Sequence, residues 1–166
     1  MKNNLIFIGM PSSGKSVLGR MLARELGRPF IDVDDVIRQI NGCELHEIMQ
    51  RDGLDGFLQR ETEAICTVDT ENAIISTGGS AIYCAKGMEH LKSIGRVIYV
   101  AISYDTLKRR VGDPRRRGVV LAPGKTLRDL YEERVPLYEK YADLTLVQAE
   151  GENSRESLAR LLELIK

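Results

Sequence analysis

A chain of 166 residues with 24 basic and 24 acidic side chains, 43% hydrophobic and 29% charged, has the size and balance of one domain with a core of its own. Zero net charge excludes a general attraction to nucleic acid or to an anionic membrane, so any electrostatic function must be local. No apolar run approaches the roughly 18 residues of a membrane span, the first residues lack a signal-peptide pattern, and three cysteines without C-x-x-C spacing suit neither a metal site nor a disulfide framework but a reducing, cytoplasmic setting.

The apolar run Leu5-Ile6-Phe7-Ile8 predicts a strand, and it leads into Gly9-Met10-Pro11-Ser12-Ser13-Gly14-Lys15-Ser16. That spacing, G-x-x-x-x-G-K-[ST] between a strand and a helix, is a phosphate-binding P-loop. Gly9 and Gly14 permit a backbone path that a β-carbon would obstruct. The loop from Pro11 through Ser12 and Ser13 to Val17, whose residues other than proline supply the amides, then forms an anion nest at the positive end of the next helix. Lys15 supplies a charge for the β- and γ-phosphates of ATP, and the Ser16 hydroxyl is a ligand for Mg²⁺.

Leu18, Leu22 and Leu26 recur every four residues and predict a helix over 15–27, stopped at Gly27. Residues 30–34, Phe-Ile-Asp-Val-Asp, read as a second strand with Asp32 and Asp34 on one face. Asp35 to Ile40 is predicted helical and closed by Asn41-Gly42, and residues 44–69 predict one or two helices interrupted near Asp52-Gly53. Residues 73–77 form a third strand ending in Gly78-Gly79, 86–93 a helix, and 96–102 a fourth strand. Tyr104 to Val111 is predicted helical, 112–124 a loop, and Leu127 to Tyr141 a helix that Pro136 should bend or break. Leu144 to Val147 is the fifth strand and 154–166 the last helix. Alternating strands and helices predict an α/β fold, a five-stranded parallel sheet with helices on both faces and ligands beyond the carboxyl ends of the strands.

Three chemistry-bearing stretches follow the P-loop. Asp32 and Asp34 could divide metal binding and acceptor activation between them, or Asp34 and Asp35 could simply cap the following helix. Gly78-Gly79 permits close backbone approach to a ligand, or is an ordinary turn. Arg115-Arg116-Arg117 lies in the 112–124 loop, where it could close over a triphosphate, be a solvated charge run, or touch nucleic acid. Arg134 could grip a carboxylate in a two-pronged fork or pair within its helix. His46 and His90 have no partners at ligand or triad spacing and read as surface or packing residues.

These residues together resemble the shikimate kinase family over almost the whole chain. The matching pieces are Gly9–Ser16, Phe30 to Asp34, Gly53 with Phe57 and Glu61, Thr77-Gly78-Gly79, Leu107 with Arg110, Arg117, and Arg134-Val135-Pro136-Leu137-Tyr138. The resemblance implies a P-loop fold like the nucleoside monophosphate kinases, one domain over 1–166 with a substrate-binding helical region at about 34–61 and a lid at about 112–124. It implies that Asp32 assists Mg²⁺ and that Asp34 contacts the acceptor hydroxyls and is the candidate base. It further implies that Glu61, Gly78, Gly79 and Arg134 serve the acceptor, that Arg110 packs near adenine, and that Arg117 is the lid arginine. The implied activity is transfer of the ATP γ-phosphate to shikimate by a cytoplasmic monomer with no nucleic-acid or membrane partner. The chain departs from the family at Leu58, where an acceptor-binding arginine is usual, and at Ser80 and Gly118, where glycine and proline are usual. Arg60 stands two residues from Leu58, on the wrong helical face to replace it. Transfer to another small hydroxy acid or hydroxy-amino acid, or a nucleotide-binding regulatory role without transfer, are the alternatives.

Overall fold

The computed structural model describes residues 2–114, 119 and 121–166. The elements run β1 (Asn4–Ile8), α1 (Lys15–Leu26), β2 (Phe30–Asp32), α2 (Val33–Asn41), α3 (Leu45–Thr67), β3 (Ile74–Ser76), a 3-10 turn (Ala81–Tyr83), α4 (Ala85–Ile94), β4 (Gly95–Ala101), α5 (Tyr104–Val111), α6 (Leu127–Tyr141), β5 (Leu144–Val147) and α7 (Ser154–Leu164). The five strands form one parallel sheet in the order β2-β3-β1-β4-β5.

Successive side chains of a strand point to opposite faces, and both faces here are covered. Ile6 and Ile8 of β1, Ile75 of β3, and Val97 and Tyr99 of β4 pack with Phe57 and Ala64 of α3, Met88 and Leu91 of α4 and Tyr138 of α6. Leu5 and Phe7 of β1, Ile74 of β3, and Ile98 and Val100 of β4 pack instead with Leu18 and Leu22 of α1 and Leu161 of α7. Each central strand is therefore an apolar run rather than an alternating one. Among the described residues no helix is long and apolar enough to cross a membrane.

The end of the second strand departs from expectation, the interruption near Gly53 is as expected, and one short element is new. The second strand ends at Asp32, not Asp34, because the Asp32 carboxylate accepts a hydrogen bond from the Asp34 amide at 3.0 Å and caps α2. Asp32 and Asp34 thus do not share a strand face; Asp34 sits in the first turn of the helix. Residues 45–67 make one long helical segment kinked at Gly53, whose φ of 72° is left-handed. A 3-10 turn that periodicity could not announce follows Ser80. Pro136 does not break α6. Leu130, Arg134 and Tyr138, spaced four apart, are buried. Tyr138 also stacks on Tyr99 with centroids 5.2 Å apart, and this anchoring offsets the ~3 kcal/mol that an interior proline costs.

Candidate active site

The phosphate half is built by the turn from β1 into α1. Ser12 and Gly14 take left-handed backbones, with φ of 63° and 93°, which folds the loop back over itself and turns its amides inward. Gly14 caps α1, so the loop lies at the positive end of that helix. Lys15 is buried, and its Nζ donates to the carbonyls of Gly9 and Met10 at 2.8 Å each. Burial pushes its pKa down to about 8, with Asp34 opposing and Arg134 reinforcing the shift. Pro11, Ser12, Gly14, Lys15, Ser16, Val17, Asp34, Thr77, Gly78 and Gly79 line a cavity of about 340 Å³. Ser13 is fully buried beneath it with a hydroxyl that has no partner among the described residues, and Arg110 of α5 reaches the loop, donating from Nη1 to the Ser12 carbonyl at 3.2 Å.

The Mg²⁺ expectation meets a suitable donor set. Ser16 Oγ lies 3.3 Å from Ser76 Oγ, and Ser76 pairs in register with Asp32 across β3 and β2. A hydroxyl and a carboxylate therefore flank one strand end. Few, hard oxygen donors suit Mg²⁺, which keeps most of its waters and takes phosphate oxygens. Among the described residues no group of three or more His, Cys, Asp or Glu side chains could form an all-protein metal cage.

The acceptor half adjoins it. A second cavity of about 310 Å³ is lined by Pro11, Asp34, Glu61, Gly78, Gly79, Ser80 and Arg134, with an apolar wall from Leu45, Met49, Leu54, Phe57 and Val119 and with His46 and Gln50 on α3. A β-carbon on Gly78 would stand 3.2 Å from both Asp34 Oδ1 and Glu61 Oε2, so the two carboxyls bracket that residue. On Gly79 it would meet Pro11 Cδ at 2.8 Å and Arg134 Nη1 at 2.9 Å. Glycine is needed here for space. Tyr138 donates its hydroxyl to the Gly79 carbonyl at 2.6 Å and fixes the turn from below.

Arg134 is buried on α6, its guanidinium 5.3 Å above the Tyr83 ring and its Nε without a partner among the described residues. Glu61 is fully buried on α3; burial raises its pKa to about 7, although the Ser80 hydroxyl at 2.7 Å works against the rise. Burial, then the charge of Asp32, also raises the pKa of Asp34. Leu58 packs against the core and is absent from the cavity wall. Arg60 is held elsewhere, donating to Asp52 at 3.0 Å and to Asn41 at 2.9 Å.

Of the residues singled out in the sequence, Gly9 to Val17, Asp32, Asp34, Glu61, Gly78, Gly79, Arg110 and Arg134 converge at one end of the sheet. Arg117 lies outside the described residues. His46 is exposed, in keeping with its reading as a surface residue, and stands at the rim of the acceptor cavity, while His90 Nε2 lies 2.7 Å from the Val68 carbonyl, as packing requires. Sequence reasoning missed Ser76, Tyr83 and the α3 wall. Leu45 and Met49, four apart, signalled a helical face, but nothing local said that the face lines a cavity.

Comparison with known proteins agrees with this layout. The family model described as shikimate kinase matches residues 11–166. Curated shikimate kinases from a Synechococcus strain and from Thiobacillus denitrificans are 37% and 32% identical to the chain. They cover 96% and 99% of it, and 83% and 88% of their own lengths. A solved shikimate kinase from Acinetobacter baumannii, in complex with shikimate, is 30% identical with a TM-score of 0.86, covering 98% of this chain and 92% of its own. A P-loop cavity that opens onto a second cavity with a buried arginine, together with likeness over nearly the full length, makes this chain a member of the shikimate kinase family, ATP-dependent enzymes that phosphorylate a hydroxyl group.

Proposed function

We propose that this chain transfers the γ-phosphate of ATP to a hydroxyl of shikimate, giving 3-phosphoshikimate and ADP. The observation that carries the reading is the wall shared by the two cavities: Pro11, Asp34, Gly78 and Gly79 line both. A phosphate held over the loop and a hydroxyl held in the second cavity would meet at Asp34.

In this mechanism the loop amides and Lys15 hold the β- and γ-phosphates, with Arg110 at the nucleoside end. Ser16 and Asp32 would hold Mg²⁺, which when bound neutralises charge on the phosphates. Asp34 accepts a hydrogen bond from the acceptor hydroxyl and directs its oxygen at the γ-phosphorus, in line with the bridging oxygen to the β-phosphate. The O–P bond forms as that bridging bond breaks, the hydroxyl proton passes to the Asp34 carboxylate, and ADP leaves with the electron pair. Arg134 takes the acceptor carboxylate, Glu61 and the Gly78-Gly79 backbone line the same subsite, and Arg117 joins the phosphates from the 112–124 lid. The active unit is a cytoplasmic monomer, one domain over 1–166 with residues about 34–61 as the acceptor-binding region, working without nucleic acid or membrane.

The test is ADP release by the purified chain with ATP, Mg²⁺ and shikimate; release equal to that without shikimate removes this acceptor. One observation favours a second reading, transfer to another small hydroxy acid or hydroxy-amino acid. Leu58 packs into the core and Arg60 is tied to Asp52 and Asn41, so neither adds a cation to the acceptor wall. A panel of hydroxy acids run beside shikimate separates the two readings.

A further inference from the structure

The charges in the acceptor cavity do not balance in an obvious way. Among the described residues its wall carries two carboxyl groups, Asp34 and Glu61, against one buried arginine, Arg134. An acceptor acid would bring a third negative charge to that arginine.

Glu61 is placed to resolve the conflict. Its side chain is fully buried, and its hydrogen-bond donors are both neutral: Ser80 Oγ at 2.7 Å and Cys84 Sγ at 3.7 Å, both on Oε1. Oε2 has no partner among the described residues, and it faces Gly78. The titratable and charged groups that face Glu61 are Asp34 from α2, Cys84 ahead of α4 and Arg134 from α6. A buried carboxylate lacking a cation at hydrogen-bond distance holds its proton unless a cation moves to it. Among the described residues the cation that acts on Glu61 is Arg134, beside the next glycine, whose Nε is itself buried without a partner there.

We propose that Glu61 is a gatekeeper for the acceptor's carboxylate: as the neutral acid it leaves the Arg134 guanidinium free, and once ionised it competes for that guanidinium and weakens acceptor binding. The proposal rests on the reading that a carboxylate acceptor occupies this cavity. Loss of the Glu61 proton is the only chemical change required; the proton goes to solvent, and it returns when the acceptor binds. Burial has already moved the Glu61 transition up to about 7, inside the range where the enzyme would be assayed.

The experiment is steady-state kinetics with shikimate from about pH 6 to about pH 8.5, on the native chain and on Glu61→Gln. The expected native result is a KM for shikimate that climbs with pH, approaching about tenfold per pH unit above the Glu61 transition, with kcat changing far less. Glu61→Gln removes the competitor, so the climb should disappear and its KM should fall below the native value at the alkaline end. A native KM flat across the range, or the same climb in Glu61→Gln, overturns the proposal. Infrared spectra of the native chain carrying ¹³C-labelled glutamate give a readout independent of turnover and of the variant's folding. A protonated-carboxyl band should be present at about pH 6, fade through neutrality, and return when shikimate is added at about pH 8. Its absence at about pH 6 overturns the proposal whatever the kinetics. Failure of the acceptor reading looks different: no ADP from shikimate at any pH while the free protein's band titrates as described, which upholds the neutral Glu61 and discards shikimate.

Discussion

Lys15 spends the free state hydrogen-bonded to two carbonyls of its own loop, buried and with its pKa pushed down to about 8. A bound triphosphate would bring negative charge to it and restore its proton, so nucleotide binding at about pH 8.5 should take up protons from the buffer. Lys15→Met removes the charge and should lower kcat by about 10²–10³-fold or more, read as ADP release. Glu61 makes the opposite kind of statement about stability. Its folded pKa lies above its unfolded value, so the folded chain binds the extra proton. The native protein should therefore lose stability as pH rises from about 4.5 to about 7 and level off above that, by about 3 kcal/mol at most. Denaturant unfolding at several pH values should show that slope in the native chain and a flatter one in Glu61→Gln. Such residues were half legible beforehand. The types and the loop spacing named Lys15, but no sequence feature showed that Glu61 would lie buried with only neutral donors. That depends on Ser80 and Cys84, which meet it from another part of the chain.

At the scale of elements, the periodic pieces read directly and the exceptions have causes. α5 and α6 occupy the expected residues because capping marks their starts: Ser103 caps α5, and Thr126 with Asp129 forms a reciprocal box on α6. The end of β2 misread because an aspartate at i and another at i+2 fit a strand face as well as a cap and first turn; only the Asp34 amide bonding back to Asp32 decides it. The kink at Gly53 was visible as a glycine, yet what it arranges was not. Past the kink, Arg60 turns back to Asp52 and reaches Asn41 at the end of α2, tying α3 to α2 on the side away from the cavity wall. Arg60→Ala should therefore lower stability only slightly, as surface ion pairs are worth little, read as a small drop in the denaturant midpoint. It should leave the KM for shikimate within about twofold of native. A large rise in KM on this substitution would mean that Arg60, not Arg134 alone, serves the acceptor.

Across the whole molecule, the phosphate half was legible because one unbroken stretch, Gly9 to Val17, supplies most of it. The acceptor half was not, because its wall is gathered from stretches far apart in the chain, one residue each from α2 and α6, three from the turn after β3 and the rest of the wall largely from α3, and only the parallel order β2-β3-β1-β4-β5 carries those ends to one side. The same topology makes the halves separable. They share Pro11, Asp34, Gly78 and Gly79, yet Lys15 lines only the phosphate cavity and Arg134 only the acceptor cavity. A ligand that binds only the folded state raises stability by RT ln(1 + [L]/Kd), about 2.7 kcal/mol at a hundredfold excess over Kd. For a chain of this length that is a rise in Tm of about 5–10 °C. ATP with Mg²⁺ and shikimate should each produce such a rise alone in the native chain. Lys15→Met should lose most of the nucleotide shift while keeping the shikimate shift, and Arg134→Ala should do the reverse. Arg134 also packs over Tyr83, so Arg134→Lys, which keeps the charge but not the planar fork, checks that the lost shikimate shift comes from recognition and not from a loosened helix. If both substitutions abolished both shifts, the two cavities would be one indivisible site, and the division of labour across Asp34 would be wrong.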